Sequence, residues 1–319
     1  MSIRRFITQG LSLGVRVMPL LALPLMAGPA SADDAKKTAC APVAELLALA
    51  KVDYGTQEQN GDRCIFRDLV VPIPLDLAAL YADELDVSLR GMDAGLRPDA
   101  LPSHVDLRVS NLFYGIRGIE GYPPKMAYLQ NEIARMAAYQ VALDLDWNEE
   151  DAELRLNRME VTDPLGQVSQ LSFTLGSVTP AFFAAPVEQA SFPSVEAFSL
   201  DLALPWLFEA VALMPMGMAL LPEEGDPAAA LAALQTQYAA LAEALPDAYI
   251  DAPSRAALVR LIGDLPHPQH ALSVDLRGRV PSLSLTQEEL QAQDRAMAYG
   301  TKLLAQGGFG LQIGYGPNP

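Results

Sequence analysis

The stretch VALDLDWNEEDAELRLNRMEVTDPLGQVSQLSFTLG, residues 141–176, decides the fold. Val141, Leu143, Leu145 and Trp147 alternate with Ala142, Asp144 and Asp146; Leu154 and Leu156 resume the alternation, and Leu171, Phe173 and Leu175 repeat it. Successive side chains on a strand point to opposite faces, so this period of two marks strands with one apolar and one wet face. Asn148-Glu149-Glu150-Asp151 and Asp163-Pro164-Leu165-Gly166 separate the runs and carry the residues that turns demand. Residues 140–178 therefore read as a three-stranded meander, which turns this short make antiparallel.

The same period recurs on both sides of that stretch. Leu85, Val87 and Leu89 alternate with polar residues, as do Val105, Leu107 and Val109. Later come Phe198, Leu200, Leu202 and Leu204, then Leu272, Val274 and Leu276, then Phe309, Leu311, Ile313 and Tyr315. One dry face and one wet face belong to antiparallel sheet rather than to a parallel sheet buried on both sides. Helical patterns lie between the strands. Pro123-Pro124 opens a helix with an apolar stripe of Met126, Leu129, Ile133 and Met136. Asp226 is placed to cap a helix begun by Pro227, with a seam of Leu231, Leu234, Tyr238, Leu241 and Leu245. Ser254 is the candidate cap for a helix through Leu258, Leu261 and Ile262, and Thr286 with Glu289 forms a capping-box pattern for one that stops at Gly307-Gly308. The expected class is α+β: antiparallel sheets of amphipathic strands with helices packed on one face. The heptapeptide from Leu85 to Gly91 is echoed from Leu272 to Gly278, and this allows two related lobes, about 33–190 and 191–319.

The N-terminus predicts export. Arg4 and Arg5 precede an apolar run densest from Val17 to Ala27, and Ala30-Ser31-Ala32 is a small-x-small cleavage site. Pro19 and Pro24 break the run, which is shorter than the roughly 20 residues a spanning helix needs, so no transmembrane segment is expected in the mature chain. Cleavage near Ala32 removes residues 1–32 and leaves one exported unit, 33–319, in the periplasm. The removed segment holds Arg4, Arg5 and Arg16 and no acid, so the formal charge goes from −17 to −20. A surface that acidic excludes nucleic acid and repels anionic headgroups. In an oxidising compartment Cys40 and Cys64 should pair. The closed loop of about 25 residues gives roughly 3.5 kcal/mol on chain-entropy grounds.

Motifs for chemistry are scarce. No G-x-S-x-G elbow, H-E-x-x-H, G-x-G-x-x-G or phosphate-binding loop occurs. His267-Pro268-Gln269-His270 has spacing that a metal could use, without a cysteine or carboxylate cluster beside it; His104 stands alone in sequence. Asp144, Asp146, Asn148, Glu150 and Asp151 crowd one hairpin, but Glu149 and Arg155 stand where a calcium loop needs glycine and glutamate, so a solvated acidic turn is the reading. Residues 206–221 are apolar nearly all round, with Pro215 and Gly217 inside. They suit a buried helix, or the wall of a site for an apolar ligand, with Trp206, Phe208, Met214, Met216 and Met218 as its candidate contacts. The three thioethers lack the histidine or cysteine company that copper(I) wants. No cofactor, metal or catalytic residue is assigned. The expectation is a non-enzymatic binding or structural protein holding an apolar ligand or an envelope protein. A hydrolase with a dispersed site, where a serine or carboxylate pair meets a histidine, is the alternative, and an envelope-assembly scaffold a further one.

Overall fold

Alternating sequence becomes paired strand almost everywhere the pattern occurs. The structure is a computed structural model that describes residues 40–72, 78–91, 102–116, 123–179, 193–203, 213–221, 225–283, 302 and 306–316. The expected export segment lies outside them, as do the Thr286–Glu289 capping box and Leu204. The residues group into two compact units, the first running to Ser194 and the second formed by Val195–Pro281 with the C-terminal strand.

The first unit holds α1 (Ala41–Leu49), β1 (Thr56–Asn60), β2 (Arg63–Pro72), β3 (Ala78–Arg90), β4 (His104–Ile116), α2 (Pro124–Arg135), β5 (Tyr139–Asn148), β6 (Glu153–Thr162) and β7 (Val168–Gly176). Each strand pairs antiparallel with the next, from β1 through β7. The register carries the apolar face across the sheet. Cys64 stands opposite Val87, Val87 opposite Leu107, Leu107 opposite Leu143 and Leu143 opposite Met159. Phe66, Leu69, Leu85, Val87, Val105 and Val109 are buried on it. Burying such side chains contributes about 1.5–3 kcal/mol each, the main term holding the sheet together. A smaller cluster of Trp147, Leu154 and Val178 closes the far end of β5 and β6. The predicted meander is present with both turns: the Asp163 carboxylate accepts from the backbone N–H of Leu165 and Gln167, each at 2.8 Å, and Gly166 sits at φ +81°.

The second unit holds β8 (Ser194–Leu202), α3 (Leu213–Leu220), α4 (Pro227–Glu243), α5 (Ala252–Asp264), β9 (Leu272–Gly278) and β10 (Phe309–Tyr315), with Ser194 itself at the join. β9 pairs antiparallel with both β8 and β10. Ala257 and Tyr315 are buried among Leu202, Leu261, Leu272 and Ile313. The Tyr315 hydroxyl donates to Asp264 at 2.6 Å and accepts from the Gln269 N–H, so the last strand is bolted to the end of α5. Burial and the Asp264 carboxylate both hold its phenol above the ordinary value.

The α+β expectation is corrected by this arrangement: the protein is predominantly antiparallel β with a few short helices. Two physical points account for the error. The strands outrun their alternating cores; β3 and β4 reach 13 residues each. The apolar stripe of a helix also does not say what it faces, and α2 turns its stripe outward instead of onto the sheet. The seam assigned to α4 is likewise half open, with Tyr238 and Leu241 exposed. Its Asp226 cap is as expected and accepts from the Ala228 N–H. On α5 the cap is Asp251, which accepts from the Ser254 N–H; Ser254 is buried and its hydroxyl accepts from the Ile313 N–H.

Asp251 gives a pH test. The Ser254 hydroxyl and N–H hold its carboxylate below the usual range, assisted by Arg277. A carboxyl lowered on folding stabilises fully above its unfolded pKa, near 4, and loses that contribution as pH falls through the lower folded value. Melting midpoints of the native chain and of Asp251→Asn should therefore differ most at neutral pH and converge as pH falls through the lowered folded value.

Candidate functional site

Helix α2 starts where the double proline predicts, with Pro123 as its N-cap residue. Its inward side is small and polar. Asn131 and Ala134 are half-buried, and the Asn131 amide lies so close to Gly115 on β4 that a Cβ there would stand 2.7 Å from it. Arg135 forms an ion pair with Asp83 and holds its guanidinium 6.0 Å from the centre of the Phe113 ring. With that side docked on the sheet, the opposite side carries the apolar residues into solvent. Met126 and Leu129 are exposed, Tyr128 is 63% exposed, Ile133 68% and Met136 82%. Tyr114, on β4, is exposed as well. Water contact with so many large apolar groups on one helix face is unfavourable by about 25 cal/mol per Å². A grouped apolar patch of this kind marks an interaction surface, whereas scattered single residues do not.

The wet face of the first sheet carries a ladder of charges. Arg63 donates to Asp86 at 2.7 Å and to Asp106 at 3.1 Å, while Arg67 pairs with Glu58 and Glu84. Next to them, cross-strand register brings His104 opposite Asp146, with Nδ1 to Oδ1 at 2.8 Å. A histidine thus meets a carboxylate pair, Asp144 and Asp146, but on an open sheet face and not in a cleft. His270 stands edge-on to Tyr315, ring centres 5.4 Å apart. Of the acidic hairpin, Asn148 and Asp151 form the turn's own network, with the Asn148 amide donating to Asp151 and its carbonyl accepting from the Glu150 N–H. Asp144 and Asp146 are drawn away from that turn to His104 and Asn157.

Trp206 and Phe208 lie outside the described residues, as do the side chains of Met214 and Met218; Met216 is exposed on α3. A cavity of about 150 Å³ lies beside Arg108, Ser110, Gln140, Glu160 and Thr162. It is smaller than the roughly 300–1,000 Å³ of ordinary ligand sites. Cys40 and Cys64 are joined, as expected, with their Cα atoms 5.4 Å apart. No helix among the described residues is long and apolar enough to cross a membrane.

What the sequence did not reveal about α2 was its orientation. Met126, Leu129, Ile133 and Met136 stood out as a stripe, but the docking side is marked only by small residues. Ala134 and Asn131 on that side were the available signal, because small residues permit the close approach that Gly115 completes. Compared with known proteins, the chain matches no family model and no curated protein.

Proposed function

We propose that the mature chain is an exported, periplasmic binding protein that does no chemistry of its own and engages a protein partner through the outward face of α2. The observation that carries this reading is the exposed stripe itself. Met126, Leu129, Ile133 and Met136 fall at i, i+3, i+7 and i+10, the spacing by which a helix lays its apolar face into a groove. The partner is therefore a protein with an apolar groove. Methionine and tyrosine suit such a contact, one adapting its shape and the other presenting an amphipathic ring. A bilayer is the poorer occupant, because a chain of formal charge −20 after cleavage is repelled by anionic headgroups. An apolar small molecule is poorer too, because the stripe is a projecting surface. The buried Cys40–Cys64 bridge supports an oxidising compartment, in line with the N-terminal export pattern.

The double substitution Ile133→Glu and Met136→Glu tests it. Both side chains face water, so the melting midpoint should move by no more than a degree or two, in keeping with surface changes of about 0.5 kcal/mol. Gel filtration of a native envelope extract should shift the chain from a complex to its free size. A complex that survives the double substitution would remove α2 as the contact.

A further inference from the structure

We propose that the polar face of the first sheet carries a binding site for a divalent transition cation of the zinc class, held by His104, Asp144 and Asp146 with Asn157 beside them. The donors come from three neighbouring strands. His104 opens β4, Asp144 and Asp146 are on β5, and Asn157 is on β6. One donor atom from each of His104, Asp144 and Asp146 lies within 4.8 Å of the others. His104 Nδ1 is 2.8 Å from Asp146 Oδ1 and 3.9 Å from Asp144 Oδ1. An ion about 2.0–2.2 Å from each donor needs separations of roughly 3–4 Å, so small side-chain rotations suffice.

The backbone adds the fourth group. Asp144 stands opposite Arg158 and Leu145 opposite Leu156, so Asn157 is the extra residue of a bulge. The bulge turns its amide to the carboxylates, and Nδ2 lies 2.9 Å from Asp144 Oδ1 and 2.6 Å from Asp146 Oδ2. A bridging amide N–H₂ thus stands where a cation would sit between two carboxylates. Rotated by half a turn, the same amide presents its oxygen instead. Among the neighbouring arginines, Arg63 is bound to Asp86 and Asp106 and Arg158 reaches toward Glu160, while Arg155 pairs with Glu153 from its place opposite Asp146 and adds its charge beside that carboxylate. Asp144 and Asp146 thus meet a histidine and an amide at close range. Imidazole nitrogen with carboxylate oxygen selects zinc-class ions over calcium and magnesium, which prefer oxygen alone. Because the donors bridge β4, β5 and β6, a bound ion would clamp the middle of the sheet.

Titration calorimetry and thermal denaturation of the purified mature chain, with zinc chloride and separately with calcium and magnesium chloride, test this. One zinc per chain and a rise of several degrees in the first unit's melting midpoint are expected. Little response to calcium or magnesium is expected. His104→Ala and Asp146→Asn should each weaken zinc binding at least tenfold, and the paired substitution His267→Ala with His270→Ala should leave it unchanged. Lack of zinc binding at 100 micromolar, or binding that survives both His104→Ala and Asp146→Asn, overturns the site. Since His104→Ala could unsettle the sheet, Asn157→Asp serves as a second variant. It keeps the bulge, adds an oxygen donor and should tighten zinc binding; unchanged or weaker binding counts against the site.

Discussion

Replacing Cys40 and Cys64 together by alanine is expected to lower the stability of the first unit by about 3–4 kcal/mol, or roughly 10 °C in melting midpoint. The bridge ties the start of α1 to the start of β2, 24 residues on, and both half-cystines are fully buried. Val43, Leu46 and Leu47 of α1 are buried as well, and the bridge holds that helix in place. Without it, α1 must be ordered by packing alone while the unfolded chain regains the entropy of an open loop. Reducing the native protein with dithiothreitol under partly denaturing conditions should give the same midpoint as the double alanine variant. If the midpoints of native, reduced and substituted chains coincide with one another, the bridge contributes nothing and α1 is held by its leucines.

The second large effect is expected at Gly278. It closes β9 at φ +82°, and a Cβ there would lie 2.3 Å from the Gly308 carbonyl oxygen, which is backbone and cannot rotate away. Gly278→Ala therefore adds a steric clash to the 1–2 kcal/mol that a left-handed alanine costs, about 3 kcal/mol or more in all. Gly166 provides the control, because it has nearly the same φ, +81°, and nothing within 4 Å of its Cβ position. Gly166→Ala should cost only the conformational part. Gly91, at φ +78°, would put a Cβ 2.5 Å from the Ser103 hydroxyl, which can turn aside, and 2.9 and 3.0 Å from the Ser103 Cβ and backbone N, which cannot but stand farther off than the Gly308 oxygen does from Gly278, so it should fall between. Urea midpoints for the three variants give the order Gly166, Gly91, Gly278. Equal losses would mean that the end of β9 yields freely and that the close approach to Gly308 is soft.

Gly91 and Gly278 end the two copies of the heptapeptide, and both take left-handed conformations at the end of a strand. The repeated motif thus has a local reason: three inward apolar residues, then an arginine, then the one residue that accepts a turn of that hand.

Strands were readable because a half-buried strand writes its burial directly into the sequence with period two. The bulges were readable too, in a subtler form. Apolar positions run 154, 156 and then 159, 161, and the slip of one falls at Asn157. They run 64, 66 and then 69, 71, and the slip falls at Asp68, which sits at φ +57°. A change of phase inside an alternating run is the sequence mark of an inserted residue. What the sequence could not give was partnership at a distance. His104 and Asp146 are 42 residues apart and meet only through the β4–β5 register. Likewise an apolar stripe on a helix is equally compatible with a buried and an exposed face, and only the close fit of Asn131 against Gly115 decides between them for α2.

In-cell photo-crosslinking can show whether α2 is a docking helix for another protein. A photoreactive amino acid replaces Tyr128 on the exposed side of α2, and in a separate strain replaces Val168 at the exposed start of β7. Position 128 should give one defined protein adduct, position 168 none, and the adduct should be lost when Ile133→Glu is added. An adduct of twice the chain's mass, an adduct to lipid, or no adduct from position 128 would contradict that docking role.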